Sequence, residues 1–231
     1  MMSLSRRAVA EEQMDAADLP AETYRQVLAD LARINRITLT PRPTLGFLKR
    51  ALGDRKEFSL LDVGFGQGDM LRTIAAWSER RGIRARLTGI DLNPNSETMA
   101  REATDPALPI AYRTGDYRDL PGDWDFVISS LVTHHMTPPQ IDDFLRFMEA
   151  RSGLGWLVND LHRHRLAYFG FPLLARVAWL HRIVREDGQL SIARSFRPDE
   201  WRALLAAAAI PQDGTHVVRR FPFRLCVERI R

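Results

Sequence analysis

A glycine-rich stretch after a short apolar run has the residue types of a ligand-binding loop. It reads Leu60-Leu61-Asp62-Val63-Gly64-Phe65-Gly66-Gln67-Gly68-Asp69-Met70. Glycine lets a backbone approach a ligand closely, and the free N–H groups at a helix start bind polar groups. The spacing is G-x-G-x-G, and Asp69 stands where a dinucleotide-binding loop has its third glycine. Because Asp62 and Asp69 would repel a pyrophosphate, the loop favours a zwitterionic or cationic ligand.

Three further groups of polar residues follow apolar runs farther along the chain. Asp91 lies about 20 residues beyond the glycine turn, where an acid can accept hydrogen bonds from both hydroxyls of a ribose. Asp116 can accept from an adenine amino group, and Tyr117 follows it directly. Ser130 ends the next apolar run. These positions predict a nucleoside-binding edge of a sheet.

The candidates for proton transfer are His134 and His135, together with Asp160 and His162 after the following apolar run. A neutral imidazole can take a phenol proton near neutral pH. The alternatives are packing at a helix start for the two adjacent histidines, and ordinary loop polarity for the other two residues. A two-histidine metal site would need further ligands, and no HxxxH or carboxylate spacing supplies them, so we expect no metal.

Apolar runs alternate with helical patterns from residue 58 onward. Such alternation predicts a parallel sheet covered by helices on both faces, and binding residues then lie at the carboxyl ends of its strands. The expected strands are residues 58–64, 84–92, 109–114, 124–130 and 154–160, followed by two C-terminal strands that suggest a hairpin.

The flanking segments differ from this alternation. Residues 1–20 are polar and acidic, and we expect a loose N-terminus. Amphipathic spacing predicts a helix over residues 21–37, with a second helix over 44–52. Residues 161–197 break the alternation, and we expect them to form an insertion with a helix from Pro172 to Val184.

Four segments in order, LDVGFGQGD, GIDLNP, GDYRDLP and WDFVISSLVTHH, resemble the motifs of class I S-adenosylmethionine-dependent methyltransferases. The resemblance covers roughly residues 55–160. The N-terminal helix and the phrase VNDLHRHRLAYFG further resemble a bacterial subgroup of small-molecule methyltransferases that accompany polyketide or quinone pathways.

The resemblance implies an α/β, Rossmann-like fold with a mostly parallel seven-stranded sheet, helices on both faces and an antiparallel final strand. It implies an N-terminal helical segment, residues 1–54, over the cofactor site. Residues 55–231 would form the methyltransferase domain, with an inserted cap at about 161–197.

The resemblance also implies roles for individual residues in binding S-adenosylmethionine. The methionine end of the pocket would be shaped by Asp62, Gly64, Gly66 and Gly68. Asp91 would hold the ribose hydroxyls, and Leu92 would lie against the adenine. The remaining residues that would meet or enclose the cofactor are Asp116, Tyr117, Ser130 and, from the N-terminal helix, Asn35.

Composition narrows the choice of partner. The formal net charge is +4, and it divides into −3 for residues 1–150 and +7 for residues 151–231. Residues 161–185 hold five arginines, three histidines, several large apolar side chains and no acid. Such a segment can cover an apolar acceptor with a phenolic or acidic end, can lie on a membrane interface, or can simply pack on the sheet. Large aliphatic side chains in the basic segment argue against nucleic acid.

These observations predict O-methylation of an apolar phenolic or polyketide-like small molecule. The alternatives are C-methylation of a quinone-type ring, a nicotinamide-dependent oxidoreductase, and a cofactor-binding regulatory protein without turnover. The single cysteine, Cys226, excludes an intrachain disulfide. No apolar stretch reaches the length of a membrane span or a signal peptide, so we expect a soluble, cytoplasmic protein.

Overall fold

The computed structural model describes residues 4–16 and 18–231. It contains a seven-stranded sheet in the order β3-β2-β1-β4-β5-β7-β6. β7 runs antiparallel to both of its neighbours, and the other pairs are parallel. This architecture confirms the predicted α/β fold and the C-terminal hairpin. The strands are β1 Glu57–Val63, β2 Arg84–Asp91, β3 Ile110–Thr114, β4 Trp124–Ser130, β5 Ser152–Leu161, β6 Thr215–Arg220 and β7 Arg224–Ile230.

Helices pack on both faces of the sheet because successive strand side chains point to opposite faces. Leu60 belongs to the core on the side of α2 and α3, and its neighbour Leu61 belongs to the core on the side of α5 and α8. The helices are α1 Ala21–Ile37, α2 Pro41–Leu52, α3 Asp69–Glu79, α4 Pro94–Glu102, α5 Pro138–Arg151, α6 Arg165–Val177, α7 Arg182–Arg194 and α8 Pro198–Ala207.

The order of the strands reverses at β1, which pairs with β2 on one side and with β4 on the other. Open α/β sheets bind ligands outside the carboxyl ends of the strands at such a switch point. The glycine loop follows β1 at this position. The fold therefore places the predicted binding residues at the edge where a ligand crevice is expected.

The expected helix from Pro172 to Val184 is wrong, because two helices, α6 and α7, occupy this region. Pro172 lies inside α6, where it cannot donate a hydrogen bond to the carbonyl of Tyr168. The Gln189 side chain on α7 donates to that carbonyl instead, at 3.1 Å. The proline is therefore tolerated within the helix rather than marking its start.

The N-terminal segment packs closely against α7, so the expectation of a loose N-terminus is wrong for the described residues. The Asp187 carboxylate accepts hydrogen bonds from the backbone N–H groups of Gln13 and Met14, at 3.0 and 2.9 Å. Arg7 donates to the backbone carbonyl of Arg194. Residues 1–3 and 17 lie outside the described residues. Among the helices that are described, none combines the length and apolar character needed to cross a bilayer.

Candidate active site

The loop between β1 and α3 depends on three glycines in the left-handed region of backbone conformation. The φ angles of Gly64, Gly66 and Gly68 are 78°, 55° and 75°. Side chains with a Cβ atom adopt such angles at a cost of about 1–2 kcal/mol each. A Cβ atom at Gly68 would also overlap the Tyr112 side chain. The alternating glycines therefore allow a tight turn that directs backbone groups toward the start of α3.

Asp91 at the end of β2 is tied to this loop. One carboxylate oxygen accepts from the Gly66 backbone N–H, and the other accepts from the Asn93 N–H, both at 2.9 Å. Burial raises the pKa of the Asp91 carboxyl, and these backbone hydrogen bonds oppose that rise. The ends of β1 and β2 are thus held together around one acidic group.

Two more carboxyls lie close to the same loop. Burial raises the pKa of Asp62 well above its usual range, and the nearby charges of Asp69 and Asp91 raise it further. The Asp62 Oδ1 atom is buried without a hydrogen-bond partner among the described residues. Burial also raises the pKa of Asp69, although Arg72 and a hydrogen bond from Asn35 lower it. This concentration of negative charge favours a cationic ligand.

A cavity of about 1030 Å³ opens beside the loop and is large enough for a nucleoside together with a second organic molecule. Its wall is continuous from the carboxyl ends of the strands to α1, α6 and α7. The residues singled out by the sequence that line it are Asn35, Gly64, Gly66, Asp91, Leu92, Tyr117, Ser130, His134 and His135.

His134 is held by a buried carboxylate behind the cavity wall. Its ring Nδ1–H donates to Asp160 Oδ1 at 2.7 Å, and its backbone N–H donates to Asp160 Oδ2 at 2.9 Å. Thr133 Oγ1 and the Leu161 N–H also donate to Asp160. Burial alone would raise the pKa of Asp160, but His134 and these hydrogen bonds hold it at about 2. With Nδ1 protonated, the Nε2 lone pair of His134 can accept a proton.

Glu12, which the sequence analysis missed, completes this cluster from the N-terminal segment. One of its carboxylate oxygens lies 3.7 Å from His134 Nε2, and the other lies 3.9 Å from His135 Nε2. One potential ligand atom from each of the three residues falls within a 4.8 Å group. The Arg194 guanidinium lies 3.7 Å from Glu12 Oε1 and supplies a counter-charge there. A divalent ion would stand beside this cation, so we interpret the cluster as a polar network in which Glu12 pairs with Arg194.

The comparisons with known proteins agree with this geometry. Residues 60–151 match the family model described as a methyltransferase domain. No curated protein matches the sequence. The matched segment includes the glycine loop, Asp91 and the two adjacent histidines, and it indicates an S-adenosylmethionine-dependent methyltransferase domain.

Solved structures share the fold of this methyltransferase at low sequence identity. The plantazolicin methyltransferase BamL, in complex with a triazolic desmethylPZN analog and SAH, is 16% identical, with a TM-score of 0.65 over 88% of this chain and 74% of that one. Human N-acetylserotonin methyltransferase with SAM is 14% identical, with a TM-score of 0.65, and the match covers 98% of this chain and 63% of that one. Magnesium protoporphyrin IX methyltransferase from Synechocystis PCC 6803 with bound SAM is 13% identical, with a TM-score of 0.55, and the match covers 95% of this chain and 88% of that one.

Several predicted residues of the methyltransferase lie outside the cavity wall. Asp62 and Gly68 lie behind the loop, and Asp160 lies behind His134. Asp116 forms an ion pair with Arg118 at 2.6 Å, and this hydrogen-bonded arginine lowers the pKa of Asp116. None of these four residues forms part of the cavity surface.

His162 also lies outside the cavity wall. It is buried beside His164, with the two ring centroids 5.5 Å apart. Burial lowers the pKa of His162 to about 4, and the positive charge of Arg219 lowers it further. The imidazole is therefore neutral at physiological pH. Because it does not line the cavity, it has no direct access to an acceptor there.

Proposed function

We propose that this methyltransferase methylates a hydroxyl oxygen of an apolar, phenolic small molecule, with His134 as the general base. One observation carries the proposal: Asp160 holds the His134 ring at Nδ1, and His134 lines the cavity. A phenol must lose its proton as its oxygen becomes the nucleophile. A positioned imidazole performs such a transfer with a typical gain of about 10²- to 10⁴-fold in rate. Asp160 and Glu12 would then stabilise the imidazolium.

The acidic loop fits the cofactor. S-adenosylmethionine supplies an electrophilic methyl group on a sulfonium, and it carries positive charge at that end. The buried Asp62 carboxyl and its acidic neighbours favour such a cation. We propose that Asp91 holds the ribose and that Leu92 and Tyr117 enclose the adenine. Gly64, Gly66, Asn35 and Ser130 would complete the cofactor part of the cavity, which they line.

The acceptor part of the cavity is mainly apolar. We propose that the acceptor lies between α1, α6 and α7, in contact with Val27, Leu31, Phe171, Leu174, Ile183 and Ile192, all of which line the cavity. Apolar burial of about 25 cal/mol per Å² would hold a planar aromatic molecule there. The names of the structural neighbours include azole, porphyrin and serotonin derivatives as the molecules those enzymes bind or methylate.

The segment boundaries predicted from the sequence belong to the same proposal. Residues 1–54 would cover the cofactor site, which is supported by the side chains of Asn35 and Leu28 in the cavity wall. Residues 161–197 would form the cap over the acceptor, supported by Phe171 and Leu174. A place in polyketide or quinone metabolism and a cytoplasmic location stay predictions from the sequence.

The test combines a panel of phenols with two matched variants. We expect transfer of a labelled methyl group to an apolar phenol such as 1-naphthol and not to its methyl ether. His134→Gln should lower kcat about 100-fold or more and leave S-adenosylmethionine binding intact. His135→Gln, which changes the adjacent imidazole, should retain most of kcat.

Three results would contradict the proposal. Equal loss of activity in the two variants would remove the assignment of His134 as base. A product with a new carbon–methyl bond, identified by NMR, would support the alternative of C-methylation. Cofactor binding by calorimetry without transfer to any acceptor would support a regulatory role.

A further inference from the structure

The outer face of α6 carries large apolar side chains in contact with solvent. Leu166, Phe169, Leu173 and Val177 recur at helical spacing and form one exposed stripe. Trp179, directly after the helix, is 87% exposed. Scattered apolar residues are normal on a protein surface, but a continuous stripe of this kind marks an interaction site.

The backbone of Trp179 gives a separate indication that this surface has a partner. Its φ angle is 53°, in the left-handed region that glycine or asparagine usually occupies just after a helix. A tryptophan there carries a backbone cost, and its exposed ring makes little contact that would offset this cost within the chain. The side chain therefore gains its contacts outside the chain.

The charges around the stripe identify the kind of partner. Arg165 and Arg176 lie exposed on α6 beside Phe169 and Leu173, whereas Arg182 at the start of α7 pairs with Glu186 at 3.7 Å. Residues 161–185 include no acid. A second copy of the same face in a two-fold dimer would bring these arginines together, which is unfavourable. An anionic surface would be attracted to them.

We propose that the outer face of α6 and Trp179 dock on an anionic lipid bilayer. The apolar stripe would enter the region between headgroups and acyl chains, with tryptophan at the interface and arginines among the lipid phosphates. α6 then has two roles, because its other face, with Phe171 and Leu174, lines the cavity.

The docked orientation also bears on access to the site. Leu166 belongs both to the exposed stripe and to the cavity wall, and Phe223 in the β6–β7 turn lines the cavity beside α6. The Phe223 ring stacks on His164 at the start of α6, with centroids 5.2 Å apart. The cavity thus opens next to the docking face. That an apolar acceptor enters from the bilayer is an extension that rests on the proposed function.

Sedimentation with lipid vesicles tests the docking face without catalysis. We expect the methyltransferase to bind vesicles of phosphatidylcholine mixed with phosphatidylglycerol, to bind pure phosphatidylcholine more weakly, and to lose binding as salt rises. Leu173→Ser with Val177→Ser should reduce the partition coefficient about 10-fold or more. Trp179→Gly, which suits the backbone there, should reduce it while the protein stays folded.

A matched control changes charge at the opposite end of the strands. Arg165→Glu with Arg176→Glu should abolish binding to the mixed vesicles, whereas Lys56→Glu with Arg86→Glu should not. Equal binding by all variants, or no binding by the wild type, would overturn the proposal. So would a dimer in sedimentation velocity that Val177→Ser dissociates, since the face would then bind a second copy. Transfer to a water-soluble phenol measures the proposed function independently of these results.

Discussion

Replacing Asp62 by asparagine should weaken cofactor binding and stabilise the free protein at the same time. The side chains have nearly the same shape, so the change removes charge with little effect on packing. Asp62 Oδ1 is buried without a hydrogen-bond partner among the described residues, and two other carboxyls raise its pKa further. In the free protein the ionised form of this group opposes folding. With the cationic cofactor bound, the same group is favourable.

The magnitude follows from the unpaired buried charge. An unpaired buried charge costs more than a neutral amide of the same shape, so we expect Asp62→Asn to add about 1–2 kcal/mol to the free energy of unfolding. In a chain of this size this corresponds to a rise of about 2–8 °C in Tm. Losing a charge-assisted interaction of about 1.5–3 kcal/mol should weaken S-adenosylmethionine binding about 10- to 100-fold.

The pH dependence gives the sign of the stability effect. Because the folded protein has the raised pKa, the unfolded chain releases the Asp62 proton more readily. The wild type therefore loses stability as pH rises from the ordinary carboxyl range through the raised pKa, and the variant does not. The advantage of Asp62→Asn in thermal unfolding should grow with pH.

Calorimetry and thermal unfolding of three proteins check this reasoning. The exposed Asp54→Asn variant is the control, and we expect it to match the wild type in both measurements. A variant at Asp62 that is less stable than the wild type and binds the cofactor normally would refute the role of Asp62 as a buried charge that serves the ligand.

The remaining predictions concern the other charges and the loop. Asp160→Asn should lower the free energy of unfolding by about 2 kcal/mol at neutral pH, because the pKa of Asp160 is held at about 2. In urea unfolding, the difference in stability between wild type and variant should shrink as pH falls from 5 toward 2. A difference that stays constant with pH would contradict this prediction. Gly66→Ala should lower the free energy of unfolding by about 1 kcal/mol and should also weaken cofactor binding. Gly82 has a similar φ of 63°, so Gly82→Ala should lower stability without changing cofactor binding in thermal unfolding and calorimetry. As pH is lowered, affinity for S-adenosylmethionine should fall more steeply than affinity for S-adenosylhomocysteine. The reason is that protonation of Asp62, Asp69 and Asp91 removes the charges that favour the sulfonium. An equal fall in the two affinities would argue against that charge effect.

Local sequence patterns were sufficient to predict the sheet and the glycine loop after β1. Gly64, Gly66 and Gly68 interrupt an apolar run within five residues, and Asp91 ends the adjacent strand. Their proximity requires only that β1 and β2 pair in parallel, which the alternation of strands and helices predicts. His134 follows β4 and Asp160 lies near the end of the adjacent strand β5, so their position near one edge was also predictable. The hydrogen bond between His134 and Asp160 was not predictable, because it depends on the orientation of the His134 ring and on Thr133.

The parts of the site that come from segments distant in the sequence could not be predicted from local sequence patterns. Glu12 precedes His134 by more than a hundred residues and lies in a polar stretch without helical periodicity. Its burial depends on Asp187, which binds the backbone of the N-terminal segment on α7. In the same way, Pro172 suggested a helix start because the compensating donor, Gln189, belongs to another helix. Both errors arise from hydrogen bonds that a single segment does not reveal.

The cofactor part and the acceptor part of the cavity are built from different kinds of segment, and this affects acceptor specificity. In the proposed function, the cofactor is held by short loops at strand ends, whose residue types are restricted by backbone geometry and charge. The acceptor cavity is closed by α1, α6, α7 and the segment that carries Glu12, which meet only in the folded chain. Because apolar side chains in these elements can change without disturbing the loop, acceptor choice can vary while the cofactor site stays fixed. Substitutions at Phe171 or Leu174 should therefore change the order of preference among phenols and leave the affinity for S-adenosylmethionine unaltered.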